Sequence, residues 1–415
     1  MNLSRIYNLA DFETAARRHL PAALYGFIAN GAEDGVTVRG NRDAYEARWL
    51  IPEGLVDVST IDTSCEIFGQ RFSAPFGIAP MGGAALYRHQ ADLTLAVAAH
   101  RENVPFILSA ASSVPLERIA REAPGSWYQS YLPGDDARID VLLKRLQAAQ
   151  VPVLVVTIDV PIAANRDADR RSGFRIPLQI TPKLVLDGLL HPRWLLGTMF
   201  RTLLSDGVPH LVNGGAAGQS MSILSQPTPQ MRSGRERFNW QYLAYIRRHW
   251  KGPLLVKGVL SREIAARAVR EGVDGLIVSN HGGRQLDGAI PSLEALEGIC
   301  DAASSVPVCL DGGVRRGSDI VKAMALGAKM VFAGRPFLYA TSVAGEAGVT
   351  HAIELLNSEL NTAMALLGCL STKALAPSHV VDGRLPRRSA REGQPSLSSQ
   401  ETDARTETPN LTFEV

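Results

Sequence analysis

Residues 308–335 read VCLDGGVRRGSDIVKAMALGAKMVFAGR. Their pattern is that of a strand, a helix and the first part of a second strand. The apolar, β-rich runs 308–313 and 330–338 are typical of strands that are buried on both faces of a parallel sheet. Between them, residues 319–326 are rich in Ala, Leu and Met, which favour helix. This stretch therefore predicts two neighbouring parallel strands joined by a helix.

The same alternation recurs along the chain. Further strand-like runs are found at residues 76–80, 106–110, 127–131, 153–160, 254–259 and 275–280. Helix-forming stretches lie at residues 91–100, 116–121, 139–149, 262–270 and 293–303. Eight strands that alternate with helices predict an α/β fold, a (β/α)₈ TIM barrel. A doubly wound open sheet is the alternative, and the lack of a G-x-G-x-x-G or Walker A motif disfavours it.

The chain is longer than a barrel requires. A barrel of this type needs about 250 residues, whereas the chain has 415. The surplus falls in residues 1–75, with helices predicted at 9–19 and 21–30, and in residues 177–238 between the fourth and fifth strands. Residues 384–415 are rich in Ser, Thr, Pro, Arg and Glu, which predicts a flexible tail. We expect one domain over residues 1–383, with an N-terminal helical extension and a long insertion after strand 4.

Composition excludes several classes of protein. The net charge of +2 gives no reason to expect nucleic acid as a partner. Four widely spaced cysteines without a Cys-x-x-Cys motif argue against a disulfide framework or a zinc site, and we expect no bound metal. This cysteine usage fits a reducing compartment, so we expect a cytoplasmic protein. No apolar stretch approaches the ~18 residues that a membrane-spanning helix needs.

Polar residues follow the strand-like runs at their carboxyl ends, where barrel active sites form. In chain order they are Pro80, Met81, Gly82, Ser109, Gln129, Tyr131, Thr157, Asp159, Lys257, Ser279, His281, Asp311, Gly312, Gly313, Val314, Arg315, Gly334 and Arg335. The glycine–arginine turns after strands 7 and 8 predict a phosphate site, because backbone N–H groups and guanidinium forks both bind phosphate. Either turn alone would be interpreted as an ordinary turn.

Two of these residues form a candidate acid–base pair. His281 follows strand 6, and a neutral imidazole accepts a proton near pH 7. A carboxylate such as Asp159 would stabilise the imidazolium that results. The alternatives are a structural histidine and an aspartate that caps a helix or a turn before Pro161.

Three cations follow the neighbouring strands. Arg166 and Arg284 are suited to clamp a substrate carboxylate, although Arg166 lies in a charge run that is typical of a solvated surface. Lys257 ends a buried strand, where an unpaired ammonium group would be costly. A cofactor that carries negative charge or a salt-bridge partner would each explain this lysine.

These motifs carry a family resemblance. Residues 279–288, SNHGGRQLDG, are similar to the active-site signature of the FMN-dependent L-2-hydroxy acid oxidases and dehydrogenases. Residues 311–316, 322–328 and 334–336 resemble the FMN-phosphate region of that family, and the resemblance runs from about Tyr7 to about Val380. Within the family, residues 173–177, 184–188 and 191–194 are most similar to the (S)-mandelate dehydrogenases. Quinone-linked L-lactate dehydrogenases are the nearest alternative.

The resemblance implies FMN as the cofactor and a role for each matching residue. His281 would be the base, with Asp159 beside it, and Lys257 would face the N1/O2 edge of the flavin. The substrate carboxylate would be held by Arg166, Arg284, Tyr25 and Tyr131. The flavin would be lined by Pro80, Met81, Gly82, Ser109, Gln129, Thr157 and Ser279. Its ribityl chain and phosphate would be held by Asp311, Gly312, Gly313, Val314, Arg315, Gly334 and Arg335.

The resemblance also implies oxidation of a small 2-hydroxy acid to the 2-oxo acid. Small side chains at Gly82, Ala110 and Ala111 favour an aromatic substrate such as (S)-mandelate, with electrons passed to a quinone. L-Lactate as substrate and oxygen as acceptor, with release of hydrogen peroxide, are the alternatives within the family. A non-catalytic barrel that serves as a binding module is the alternative from another class.

Residues 184–204 alternate apolar side chains with Arg193 and Arg201 and are too short to span a bilayer. Their spacing predicts an amphipathic helix that lies on the barrel, in an oligomer contact or in a membrane interface. The resemblance favours peripheral attachment to the cytoplasmic face of the inner membrane. Family analogy further implies a homotetramer.

Overall fold

The centre of the molecule is a ring of eight parallel strands. The computed structural model describes residues 2–174, 179–214, 220–224 and 234–384. The strands are β1 (Phe76–Ile78), β2 (Ile107–Ser109), β3 (Trp127–Ser130), β4 (Leu154–Thr157), β5 (Leu254–Val259), β6 (Gly275–Val278), β7 (Val308–Asp311) and β8 (Met330–Ala333). Strand β8 pairs with β1, and a parallel bridge between Ile78 and Phe106 joins β1 to the start of β2. The predicted (β/α)₈ barrel is confirmed, and an open sheet is excluded.

A helix follows each strand. These helices are α1 (Ala91–Arg101), α2 (Leu116–Glu122), α3 (Asp136–Ala148), α4 (Trp240–His249), α5 (Arg262–Arg270), α6 (Ser292–Ala302), α7 (Gly317–Ala325) and α8 (Arg335–Leu366). The strand predicted at 330–338 was wrong beyond Ala333, because Pro336 starts α8, and proline suits the first turn of a helix. Helices α4 and α8 were not predicted. Helix α8 is kinked at Gly345, whose φ is +62°.

The interior of the barrel is filled at its amino end. A hairpin of strands Cys65–Ile67 and Gln70–Phe72 covers this end, where Trp127 Nε1 donates to Gln70 Oε1 at 2.7 Å. Inward-facing residues of the strands pack against the hairpin. Side chains alternate along a strand, so the residue two positions further on also faces inward, one layer nearer the open end. A polar layer therefore lies above the apolar layer inside the barrel. The pairs, with the polar residue first, are Ser109 and Ile107, Gln129 and Trp127, Thr157 and Val155, Lys257 and Leu255, Ser279 and Ile277, and Asp311 and Cys309.

The N-terminal extension lies against the open end of the barrel. It contains helices Leu9–His19, Ala22–Ala29 and Val36–Glu46 and a strand Arg48–Leu50, which pairs with Val380–Asp382. The first two helices were predicted within one residue, with Pro21 at the cap of the second rather than inside it. Ala32 N donates to Gly283 O at 2.8 Å, and a Cβ at Gly31 would lie 2.6 Å from that oxygen. Only glycine allows this approach to the loop after β6.

The insertion after β4 consists of short helices and a hairpin. Its elements are Asp167–Ser172, Pro182–Leu189, a helical run over residues 192–205, and strands His210–Leu211 and Met221–Ser222. The buried side chain of Asn213 anchors the hairpin: it accepts from Leu116 N at 3.0 Å and donates to Val114 O at 2.7 Å. The insertion is thereby attached to the loop that precedes α2.

Residues 1–382 form one compact unit. Residues 383–415 form a second unit, of which the structure describes Gly383 and Arg384. The prediction of a flexible tail therefore lies, apart from Arg384, outside the described residues.

Candidate active site

Two adjoining clefts open at the carboxyl ends of the strands. The first, of about 860 Å³, is lined by many of the predicted residues, among them Pro80, Met81, Gly82, Tyr131, Lys257, His281, Arg284, Asp311, Gly312, Gly313, Val314, Arg315, Gly334 and Arg335. The second, of about 1920 Å³ when the space open to solvent is included, shares Gly82, Tyr131, His281 and Arg284 with the first and adds Arg166. With Ala110 and Ala111, which follow β2 and line the second cleft, the structure brings residues from all eight strand ends to one mouth.

His281 and Asp159 meet across the mouth. His281 has φ +59°, a left-handed conformation held by its own N–H, which donates to Ser279 Oγ at 3.0 Å. Its Nδ1 lies 3.1 Å from Asp159 Oδ1, and its Nε2 lies 3.5 Å from the hydroxyl of Tyr131. Burial by itself raises the pKa of Asp159, but His281 and Lys257 outweigh that effect and lower it. Asp159 is therefore an anion beside the imidazole.

Lys257 has the salt-bridge partner that sequence reasoning left open. Its ammonium group lies 2.8 Å from Asp311 Oδ2 and donates to Ser279 Oγ at 2.7 Å. Burial lowers the pKa of Lys257, but Asp311 and Asp159 raise it further, so the net shift is upward. The lysine stays charged, and two of its three N–H groups are accounted for by these contacts.

Four guanidinium groups give the mouth an excess of positive charge. Within the described ranges, Arg166, Arg284, Arg315 and Arg335 have no carboxylate within ion-pair distance. Removal from water lowers the pKa of Arg166 to about 10 and that of Arg335 to about 9. In the part of the chain that the structure describes, the Arg335 side chain donates to three backbone carbonyl groups, those of Ile28, Gly282 and Asn30. Half-buried cations of this kind are compensated when anions bind beside them.

Tyr25 lies away from both clefts. Its hydroxyl donates to Glu13 Oε1 at 3.3 Å, and its ring stacks on Tyr339. Phe27 lines both clefts instead, and the guanidinium carbons of Arg284 and Arg166 lie 4.8 and 5.5 Å from the centre of its ring. Residues two apart point to nearly opposite sides of a helix, so only one of this pair faces the mouth. The prediction that Tyr25 holds the substrate carboxylate is therefore corrected. The residue of this helix that lines the clefts is Phe27, which has no hydroxyl group.

Comparison with known proteins shows the family of this chain. The sequence pattern of the FMN-dependent dehydrogenases matches residues 16–382. The chain belongs to this family. It is 39% identical to the (S)-mandelate dehydrogenase of Pseudomonas putida over 90% of this chain and 94% of that one. It is 38% identical to an L-lactate oxidase of a Nostoc species over 88% of this chain and 96% of that one.

A solved structure of a relative has the same architecture. The crystal structure of the monotopic membrane protein (S)-mandelate dehydrogenase matches with a TM-score of 0.85 and 38% identity, over 91% of this chain and 100% of that one. As a family member, the protein is an FMN-dependent oxidoreductase that acts on the CH–OH group of 2-hydroxy acids.

The site fits the phosphate of FMN. Gly312 and Gly313 have φ +105° and +85°, and a Cβ at Gly313 would lie 2.5 Å from Asn41 O. Arg315 N donates to Asp319 Oδ2 at 2.8 Å, which orients the loop after β7. Glycines keep the backbone accessible to an anion, and Arg315 and Arg335 supply positive charge beside it. The phosphate and ribityl chain would be held by Gly312, Gly313, Val314, Arg315, Gly334 and Arg335.

A chain of polar side chains fits the flavin ring. Ser109 Oγ donates to Gln129 Oε1 at 3.1 Å, and Gln129 Nε2 donates to Thr157 Oγ1 at 2.9 Å. In addition, Asp311 Oδ1 is buried without a hydrogen-bond partner among the residues with described positions. Buried polar atoms are rarely left unpaired, so a bound group is expected here. Pro80, Met81, Ser279 and Lys257 would line or face the flavin as the resemblance implies.

Several residues of the site were missed by sequence reasoning. Phe27, Tyr87, Asp169 and Phe174 line the clefts. Three apolar residues of the insertion also line the larger cleft: Leu211, Met221 and Ile223. None of these positions follows a strand directly, and the rule that polar residues cluster at strand ends could not find them. In the N-terminal extension, the sequence spacing of Tyr25 and Phe27 did not indicate which of the two rings faces the mouth.

Proposed function

We propose that this family member oxidises an aromatic or similarly bulky L-2-hydroxy acid, with (S)-mandelate as the representative substrate. The observation that carries the proposal is the larger cleft, which places apolar walls beside His281 and the two arginines. Phe27 and Phe174 lie there with ring centres 4.6 Å apart. A substrate as small as lactate would leave most of this apolar surface without contacts, whereas a phenyl ring would cover it.

The proposed roles follow from charge and distance. Arg166 and Arg284 hold the substrate carboxylate, and Tyr131 adds a hydroxyl close to His281. His281 accepts the proton that leaves the substrate, and Asp159 stabilises the imidazolium. FMN, held in the smaller cleft, would supply a two-electron acceptor for the electron pair and the second hydrogen that leave the substrate, and Lys257 adds positive charge to the lining of that cleft. The products are the 2-oxo acid and the reduced cofactor.

Anaerobic reduction of the bound flavin tests the substrate. We expect (S)-mandelate to bleach the flavin absorbance faster than L-lactate or glycolate, and (R)-mandelate to leave it unchanged. Fastest bleaching by lactate would contradict an aromatic substrate. A purified protein that is colourless and does not bind added FMN would instead favour the binding-module alternative.

The electron acceptor is proposed to be a quinone that is reached at a membrane surface. Helices of the insertion expose an apolar patch, which we define as Val185, Leu186, Leu189, Leu190, Leu196, Phe200, Leu203 and Leu204. Leu190 and Leu204 are 70% and 72% exposed. Exposed apolar patches of this kind mark interaction sites. In the described part of the chain, no helix has the length and apolar character needed to cross a bilayer.

One side of the insertion packs against the barrel, and another side carries the exposed apolar patch. The predicted single helix over residues 184–204 is instead two helical segments, Pro182–Leu189 and the run 192–205. Trp194 belongs to the barrel side, since it is 6% exposed and its Nε1 donates to Leu86 O at 2.9 Å. Trp194, which belongs to the predicted segment 184–204, therefore packs on the barrel. One part of the insertion thus packs on the barrel, while another part exposes the apolar side chains of the patch.

Vesicle binding and oxygen uptake test this part of the proposal. We expect the protein to sediment with phospholipid vesicles and the variant Leu190→Glu/Leu204→Glu to remain in the supernatant with unchanged flavin reduction by mandelate. Leu366→Glu, at an exposed leucine of helix α8, is the control and should sediment normally. Oxygen consumption with peroxide release, at the rate seen with a soluble quinone, would show an oxidase. The homotetramer stays a prediction, which sedimentation analysis would test.

A further inference from the structure

Tyr87 brings a buried hydroxyl to the substrate site. It follows the loop after β1, is 1% exposed, and lines the smaller cleft together with His281 and Arg284. Among the described residues its hydroxyl has no hydrogen-bond partner. The preceding residue, Leu86, is held by the insertion through the indole of Trp194. The position of the ring is therefore set by both the barrel and the insertion.

The charges around this hydroxyl are those of the proposed carboxylate clamp. Burial raises the pKa of Tyr87, while Arg284 and Arg166 lower it and Asp169 raises it. The net shift is upward, so the group remains a neutral hydroxyl and can donate a hydrogen bond at physiological pH. The cations that act on this hydroxyl are Arg284 and Arg166, and in the described ranges neither guanidinium group has a carboxylate at ion-pair distance.

We propose that the Tyr87 hydroxyl donates a hydrogen bond to the substrate carboxylate that is held between Arg166 and Arg284. Buried hydroxyl groups are rarely left unpaired, and a substrate carboxylate beside the two arginines offers this hydroxyl a charged acceptor. Tyr87 is in this way a third contact for the carboxylate and favours acids over their neutral analogues. The inference rests on the proposed function, because it requires a carboxylate substrate in this cleft.

Asp169 offers the Tyr87 hydroxyl a second possible hydrogen-bond acceptor near the two arginines. Asp169 is 5% exposed, lines the larger cleft, and its Oδ1 also has no partner in the described ranges. A small movement that paired Tyr87 with Asp169 would satisfy both groups without any ligand. In that case Tyr87 is a structural residue, and Tyr87→Phe would lower thermal stability without a selective loss of carboxylate binding.

The test compares a charged with a neutral ligand on the FMN-loaded enzyme. Dissociation constants of phenylacetate and phenylacetamide are measured by calorimetry for wild type and Tyr87→Phe. We expect Tyr87→Phe to weaken phenylacetate about tenfold, the scale of one hydrogen bond to a charged group, and phenylacetamide by less than about twofold. Tyr128→Phe is the matched control, because its buried hydroxyl donates to Asn213 O, a carbonyl that lines neither cleft, and it should leave both constants unchanged.

Each other outcome has a defined meaning. Unchanged phenylacetate binding by Tyr87→Phe, or an equal loss for both ligands, would overturn the proposal. Equal losses of thermal stability in Tyr87→Phe and Asp169→Asn, without selective loss of phenylacetate binding, would show the Tyr87–Asp169 pairing and overturn it as well. A wild-type enzyme that binds no carboxylate and is not reduced by any 2-hydroxy acid would contradict the proposed function, which separates the two failures.

Discussion

His281 Nδ1 lies 3.1 and 3.2 Å from the two carboxylate oxygens of Asp159, a residue 122 positions earlier in the chain. The two residues follow β6 and β4, which flank β5 in the ring. At Gly258, on β5, a Cβ would lie 2.7 Å from the Asp159 side chain, so the intervening strand leaves space for this contact. The pair therefore depends on the neighbouring positions of β4, β5 and β6 in the sheet and on a glycine between its partners.

The first prediction concerns the base itself. We expect His281→Ala to lower the rate of anaerobic flavin reduction by about 10²–10⁴, the usual contribution of a general base. FMN content should stay normal, since the phosphate region is built from other loops. Asp159→Asn should lower the rate by less, because the amide still accepts the Nδ1–H bond but does not stabilise the imidazolium. Near-normal reduction by His281→Ala would remove His281 from the mechanism.

The second prediction separates the two arginines of the clamp. Arg166 donates at 3.3 Å to Arg284 O, whereas Arg284 also donates to the carbonyl groups of Phe27 and Asn30 at 2.6 and 3.1 Å. We expect Arg166→Lys to raise KM for the hydroxy acid about tenfold or more with little change in melting temperature. Arg284→Lys should raise KM and also lower the melting temperature, because the end of helix Ala22–Ala29 loses one of its two guanidinium donors and keeps Arg335. Equal melting temperatures for the two variants would contradict this division.

The third prediction concerns the space between two loops of the mouth. A Cβ at Gly82 would lie 2.7 Å from Ala111 Cβ, and Gly83 N donates to Ala111 O at 2.9 Å. We expect Gly82→Ala to destabilise the protein by about 1–3 kcal/mol through this clash and to weaken FMN binding. Ala111→Gly in the same chain should restore both, as measured by denaturant unfolding and flavin content. Failure of the double variant to recover would show that the clash is not the cause.

The fourth prediction is a pH dependence of stability. Asp92 is buried in the first turn of α1, and burial raises its pKa from 3.8 to about 6. Between these values the unfolded chain loses its proton while the folded protein keeps it, so this group's contribution to stability falls as pH rises through that window. The fall corresponds to about 3 kcal/mol once complete.

Asp92→Asn isolates this effect. The amide oxygen can still accept from Ser113 N, which lies 3.3 Å from the carboxylate in wild type, but it does not ionise. The unfolding free energy of Asp92→Asn minus that of wild type should therefore rise from pH 4 to pH 6 and level off above. A difference that stays constant over this range would contradict the raised pKa.

Much of the barrel followed from local pattern. Strand 254–259 and helix 262–270 were predicted at their observed bounds, since apolar runs and helix formers act over a few neighbouring residues. The polar layer that holds Lys257 and Asp311 also followed, because side chains alternate along a strand. Helices α4 and α8 were missed: α4 comes directly after the unusually long insertion, and α8 begins within a run that also suits a strand.

The sequence by itself determined the ring of strands, the glycine and arginine turns after β7 and β8, and the residues that can face the mouth. The tertiary structure alone decided that Phe27 rather than Tyr25 faces it, that Trp194 packs on the barrel, and that Tyr87 lies beside the arginines. The reason is physical. Alternation along a strand is a local property of the chain, whereas the rotation of a docked helix and the seat of an insertion depend on contacts between residues far apart in sequence.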